Sequence, residues 1–334
     1  MTGYLLVLAA GIFQGSFMLP MKFTRKWAWE NTWLVFSSTA YLICPWVLAW
    51  LTLPKLGSIY AATSYHSLAL IGMFGVGWGL GALTFGLGVN ILGLALGFTV
   101  ILGLAATAGA LIPMAVLSPD KLTQFQGLLT ILALVLVLIG IGLCSWAGKG
   151  RDSAPASTAD KPRSSYVLGL VICVASGLLS SSGNLGYAFG DEVIKRAIEQ
   201  GARESMAGNS LWALITLPLF LCNAGYSVWL LGKRGTGKLF ISPQTGLHWL
   251  LGASMGALWI AGFACYAPGA RQLGSLGSSV GWAIMMSAMV ITANLCGLLT
   301  GEWKGAGRRA QRQLAAGVAV LVLAICVVGY ANQM

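Results

Sequence analysis

The chain has 334 residues, of which 57% are hydrophobic and only 9% charged, with a formal net charge of +11. Soluble globular domains carry about a quarter of their residues as charges, so this composition excludes one. The basic residues are spread over short segments between apolar runs, which argues against nucleic acid as a partner.

About 20 apolar residues in a helix cover the hydrocarbon core of a bilayer. Ten stretches of that size follow in chain order, near 3–22, 31–53, 67–89, 91–116, 123–147, 165–188, 206–232, 246–268, 274–300 and 313–332. The expected class is an all-α integral membrane protein with ten transmembrane helices. The runs are long and continuous, not short and alternating, which sets aside a β-barrel. No basic residue precedes the first run, while Lys22, Arg25 and Lys26 follow it, so it reads as a span and not as a cleaved signal. Residues 148–164, polar and rich in small side chains, form a linker after the fifth span. The chain then divides into a first five-helix repeat, 1–147, a cytoplasmic linker, 148–164, and a second five-helix repeat, 165–334. Residues 191–204 carry Glu192/Arg196 and Lys195/Glu199 at i,i+4 spacing and read as a short interfacial helix. Alternate loops hold 14 and 6 Lys and Arg; the richer side is expected to be cytoplasmic, which places both termini outside.

The two halves echo each other. Gly75-x-x-Trp78-x6-Phe85-x2-Gly88-x3-Leu92-Gly93 returns as Gly256-x-x-Trp259-x6-Tyr266-x2-Gly269-x3-Leu273-Gly274 with every interval kept. Gly11-Ile12-Phe13-Gln14 has a weaker echo in Gly177-Leu178-Leu179-Ser180. Related halves with an odd number of spans lie in the membrane with opposite orientation, the arrangement of secondary transporters whose site sits between the repeats.

Polar side chains at membrane depth must find a partner in the protein, in water or in a substrate. Gln14, Ser16, Ser180, Ser182, Asn184, Asn209, Asn223, Ser278, Ser279 and Asn294 are such groups. Bonds between helices account for any one of them; together they offer donors and acceptors without a ring of like charge, which suits a neutral polyol. Trp78 and Trp259 occupy equivalent places and are expected to face the shared axis, where an indole face fits the C–H face of a sugar ring. Trp27, Trp29 and Trp33 read instead as an interfacial belt. Lys22 and Glu30 either pair across the cytoplasmic mouth as a gate or anchor at headgroups, and Glu302 reads as clustered with Arg308 and Arg309. Asp191, ending the sixth span, is the carboxylate best placed for proton coupling. Gly252-Ala-Ser254-Met-Gly256 fits a GxSxG nucleophile motif but no strand precedes it. Gly232-Lys-Arg-Gly-Thr-Gly237-Lys238-Leu239 has Leu239 where a phosphate loop needs Ser or Thr, and no strand precedes it, so no enzyme and no cofactor is expected. The seven cysteines lie within spans without CxxC spacing and the two histidines near span ends, so no metal site is expected. The oligomeric state is left open, with a monomer sufficient.

Four blocks carry a family resemblance: Pro20-Met-Lys22-Phe-Thr-Arg-Lys26-Trp27-Ala-Trp29-Glu30-Asn-Thr-Trp33, Phe74-Gly75-x-Gly77-Trp78-Gly79-x-Gly81, the Gly256-x-x-Trp259-x6-Tyr266 stretch, and Gly301-Glu302-Trp303-x-x-Ala306-Gly307-Arg308-Arg309. In order and over essentially the whole chain, these resemble the L-rhamnose–proton symporters, a family of the drug/metabolite transporter superfamily. The resemblance implies two inverted five-helix repeats that import a 6-deoxyhexose, L-rhamnose first, with a proton across a bacterial inner membrane. The outside termini would then be periplasmic. Trp78, Trp259, Tyr266 and Trp282 would shape the pocket, Gln14, Asn184, Asn209 and Ser279 would bond the hydroxyls, and Phe263 or Met285 would take the methyl group. Asp191, Glu30 and Lys22 would serve proton coupling or gating. The alternatives are an exporter of amino acids or other small metabolites on the same fold, or an uncoupled sugar facilitator. The chain departs from the family in the ninth span, where Gly277–Met285 around Trp282 holds nothing titratable while members carry acidic and histidine residues. It departs also in the eighth, where a glutamine of the family is Gly262 here.

Overall fold

The computed structural model describes residues 1–151 and 163–333, and each of the ten expected stretches forms a helix of spanning length. In chain order these are α1 (Thr2–Phe23), α2 (Trp29–Thr52), α3 (Tyr65–Leu92), α4 (Leu96–Leu117), α5 (Phe125–Gly150), α6 (Tyr166–Glu199), α7 (Glu204–Arg234), α8 (Gly246–Gln272), α9 (Gly277–Leu299) and α10 (Arg308–Ala331). Helices are what such sequences must form in lipid, because no water is present there to satisfy a free backbone group. The centre of the expected linker, 152–162, lies outside the described residues.

Local sequence explains the irregular turns. α1 tightens into a 3-10 turn at Leu19–Phe23, with Pro20 at its start. α2 widens into a π-turn at Ser38–Ile43 just before Pro45, whose missing N–H removes one helical bond. The N-terminus of α3 is capped by Ser64, which accepts from the Ser67 amide. α6 is broken near Ser181 and at Gly190, and its last segment, Asp191–Glu199, is a short helix within the expected 191–204. Its ion pairs differ in part from the expected set. Arg196 reaches Glu192 at 3.9 Å and Glu199 at 2.9 Å, while Lys195 turns back to Asp191 at 3.0 Å.

The packing runs α1 on α8 and α9, α6 on α3 and α4, α7 on α2 and α3, α2 on α8, and α5 along α10. Glycines set the closest approaches, as small residues do where lipid offers helices little hydrophobic drive to associate. A β-carbon on Gly75 would lie 2.4 Å from the Ile215 carbonyl oxygen of α7; on its echo Gly256, 2.6 Å from Thr39 Cβ of α2. A β-carbon on Gly11 would lie 2.4 Å from Ala288 Cβ of α9; on its echo Gly177, 2.7 Å from Leu104 Cβ of α4. In each pair, glycines that correspond in sequence meet helices that correspond in order.

The two ends of the bundle carry different charge locks. At one end Lys22 is ion-paired with Glu302 and donates to Thr300 Oγ1 at 2.6 Å. Glu30, fully buried, accepts there from Arg234 at 3.1 Å and from Thr236 at 2.8 Å. Lys22 and Glu30 therefore do not pair with each other, because each finds its counter-charge on a different helix end. At the other end Arg271 binds Asp191 at 3.0 Å and Glu204 at 3.5 Å. Trp27 is not a lipid-facing belt residue: it is buried, donates to the Leu239 carbonyl, and meets Phe240, His248 and Trp249 edge-on. Trp33 likewise turns inward to donate to Asn223 Oδ1 at 3.0 Å.

Candidate functional site

The centre of the bundle is a chain of aromatic rings. Trp78 projects from the glycine-rich middle of α3, and α6 makes room for it at Gly183, where a β-carbon would stand 2.8 Å from the indole. Trp259 comes from α8, and the two indole centroids lie 5.5 Å apart with planes at 38°. One turn along α8, Phe263 lies 4.5 Å from Trp259, 5.3 Å from Trp78 and 4.7 Å from Trp212 of α7. Tyr187 of α6 stacks on Trp212 at 5.6 Å and meets Tyr266 at 5.3 Å, and Tyr266 meets Trp282 of α9 at 5.9 Å. Tyr41, in the π-turn of α2, closes the other side against Trp259 at 4.8 Å. Such tilted and edge contacts suit ring quadrupoles and add about 0.5–1.5 kcal/mol per pair beyond area burial.

Polar groups bind the rings to the backbone. Tyr266 Oη donates to Asn184 Oδ1 at 2.5 Å, and Asn184 Nδ2 donates to the carbonyls of Gly109 and Ser278 at 2.7 and 2.9 Å. Asn184 thus joins α4, α6, α8 and α9. Trp282 Nε1 donates to Ala105 O at 3.0 Å, and Ser279 is buried on the same helix as Trp282. Gln14 of α1 donates to Trp259 O at 2.7 Å, and its amide occupies the room above Gly262, where a β-carbon would stand 2.6 Å from Gln14 Nε2. The side chain missing from α8 at that position is replaced in space by one from α1. Asn209 lies apart, in the α2–α7 seam, donating to Thr52 Oγ1 at 3.0 Å.

A cavity of about 520 Å³ opens at the Arg271 end, walled by Tyr187, Phe189, Asp191, Glu204, Ser275 and Ser278 among others. That size matches small-molecule sites. It reaches the ring cluster through Tyr187 and through Ser278, whose carbonyl accepts from Tyr266 and Asn184. Asp191 stands in this vestibule, away from the rings. At the opposite end the cavity beside Lys22, Glu302 and Cys296 is only about 160 Å³. Among the described residues no three His, Cys, Asp or Glu side chains gather as a metal site.

The expected residues Trp78, Trp259, Tyr266, Trp282, Gln14 and Asn184 come together here. Trp212, Tyr187 and Tyr41 were not foreseen. A signal for Trp212 existed: Asn209, Trp212, Thr216, Asn223 and Ser227 recur at helical spacing on the buried face of α7. Tyr187 and Tyr41 had no such cue, since their partners come from other helices.

The curated relatives it resembles include L-rhamnose-proton symporters from Escherichia coli strain 55989, 27% identical over 320 residues, and from Citrobacter koseri, 28% identical over 330 residues. Another from Shigella dysenteriae serotype 1 is 28% identical over 328 residues. Each alignment covers 94% of this chain and 92% of the relative. The sequence model described as L-rhamnose-proton symport protein (RhaT) matches residues 2–333. With ten apolar helices and that match over nearly its whole length, the chain is a multi-pass membrane protein that belongs to the RhaT family.

Proposed function

We propose that this protein is a secondary transporter that imports L-rhamnose or a closely related neutral deoxysugar together with a proton. The observation that carries the reading is the meeting of Trp78 and Trp259 at 5.5 Å, flanked by Gln14 and the Tyr266–Asn184 pair. Flat apolar faces beside amide and hydroxyl groups, with no fixed charge at the centre, favour an uncharged polyhydroxylated ring over an ion. The sites are Trp78, Trp259, Tyr266 and Trp282 for the ring, and Gln14, Asn184 and Ser279 for the hydroxyls, with Asn209 left out because it is held in the α2–α7 seam by Thr52. Phe263 takes the methyl group. The two halves, 1–147 and 165–334, act as inverted repeats that rock about this site, a reading supported by the matched glycine contacts. Lys22 and Glu30 hold the cytoplasmic mouth through Glu302 and Arg234, and Asp191, facing the vestibule beside Arg271, carries the proton. The location is the bacterial inner membrane, with both termini periplasmic.

The test is uptake of labelled L-rhamnose into proteoliposomes with and without an inward proton gradient. Gradient-accelerated uptake is expected, and Trp259→Ala should abolish it while the protein still reaches the membrane. Uptake indifferent to the gradient would remove the proton from the proposal. No uptake would remove the sugar.

A further inference from the structure

Three buried rings of the central cluster satisfy their polar atoms: Tyr187 Oη on Ala267 O, Tyr266 Oη on Asn184, Trp282 Nε1 on Ala105 O. Trp212 breaks the pattern. It is 1% exposed, and its Nε1–H is buried with no acceptor among the described residues. An indole N–H left unmatched in a low-dielectric interior carries a desolvation cost that folded proteins rarely accept without a use for the group.

The place of the nitrogen shows what it faces. Helical side chains lean toward the N-terminus of their own helix. Trp212 follows this rule, since its Nε1 lies 3.9 Å from where a β-carbon on Gly208 would sit, one turn toward the start of α7. That start is Glu204, which walls the vestibule together with Tyr187, the ring stacked on Trp212. The donor therefore lies on the side of Trp212 that faces the start of α7, where Glu204 borders the vestibule.

We propose that Trp212 is a ligand-binding residue whose indole N–H donates to a hydroxyl of the transported polyol as it passes from the vestibule to the Trp78–Trp259 pair. This rests on the neutral-sugar reading above. Tyr187 is the part that moves: tilting its ring off Trp212 opens the route and uncovers the donor in one motion.

The experiment uses the full chain, labelled with 15N in its 13 tryptophans and reconstituted in nanodiscs. The Trp212 indole resonance is assigned by its loss in Trp212→Phe, or in the bulkier Trp212→Tyr should the first fail to fold. L-Rhamnose, L-fucose, D-mannose and D-glucose are added separately. L-Rhamnose is expected to move that indole proton downfield, and Trp212→Phe to raise the KM for uptake about tenfold, the worth of one hydrogen bond, with the saturated rate kept. A purely structural tryptophan would lower the melting temperature of the variant and leave its KM alone, which overturns the proposal. Another sugar that moves the resonance and is carried, where L-rhamnose does neither, would keep the donor and displace L-rhamnose as substrate. No shift with any of the four sugars overturns the proposal.

Discussion

At the scale of single residues, the most informative contact is the one between Gln14 and Gly262. The amide of Gln14 sits where a side chain at 262 would go and donates to Trp259 O at 2.7 Å. Gly262→Ala would push that amide away, since its β-carbon would stand 2.6 Å from Gln14 Nε2 and 3.2 Å from Ala10 O. Because the atom displaced is the end of a flexible chain, the fold should survive and the loss should be that of one hydrogen bond, about five- to tenfold in KM. Gln14→Ala should lose the same amount, and the double variant no more than either, since both remove one interaction. Additive losses in the uptake assay would mean that the two residues act separately. The sequence made Trp78 and Trp259 legible because a repeat tied them together. It could not show Gln14 over Gly262, or Tyr187 on Trp212, because each contact joins side chains from distant helices whose relative rotation no local pattern encodes.

At the scale of elements, all ten helices were legible from apolar length alone, and their bounds agree with the expected ones to within about a turn at most ends. Irregularity was only partly legible: Pro45 permits the π-turn of α2 and Gly190 the second break in α6, and both stand where other helices press closely. The π-turn stands against Gly256, whose β-carbon would meet the Ala40 amide nitrogen at 2.7 Å. The echoed glycines give this scale its prediction. Gly75→Val and Gly256→Val both drive a branched side chain into a neighbouring backbone, and each should cost about 1–3 kcal/mol. Gly86, with nothing within 4 Å of its β-carbon position, supplies the control, and Gly86→Val should be tolerated. Melting curves in detergent decide the matter. Equal losses at 75 and 256 would support equivalent roles in two related halves, whereas a loss at one alone would mean that the echo in sequence has no counterpart in packing.

At the scale of the whole molecule, the cavity at the Arg271 end, about 520 Å³, is larger than the one beside Lys22, about 160 Å³, and alternating access requires that this asymmetry be reversible. A ligand shifts such an equilibrium only through its different affinity for the two states, so the states themselves must lie close in energy. The Lys22–Glu302 pair is suited to that balance. Both side chains are about one-third exposed, 35% and 36%, so solvent screens their attraction. A pair of this kind is worth up to about 1 kcal/mol, or roughly fivefold in a population. Cys296 lines the small cavity beside the pair and reports on its opening. In Lys22→Met, labelling of Cys296 by a membrane-impermeant maleimide from that side, read by mass spectrometry, should rise two- to fivefold. Glu302→Gln should do the same, and the double variant should go no further, because one interaction has been removed twice. Labelling that stays at the wild-type rate would place the closure in the tight seam of α1 on α9, where β-carbons on Gly11 and Gly15 would lie 2.4 and 2.5 Å from α9 atoms. Lys22 would then be a headgroup anchor whose counter-charge is incidental, and the opening of that mouth would have to be sought in the sliding of helices and not in the breaking of an ion pair.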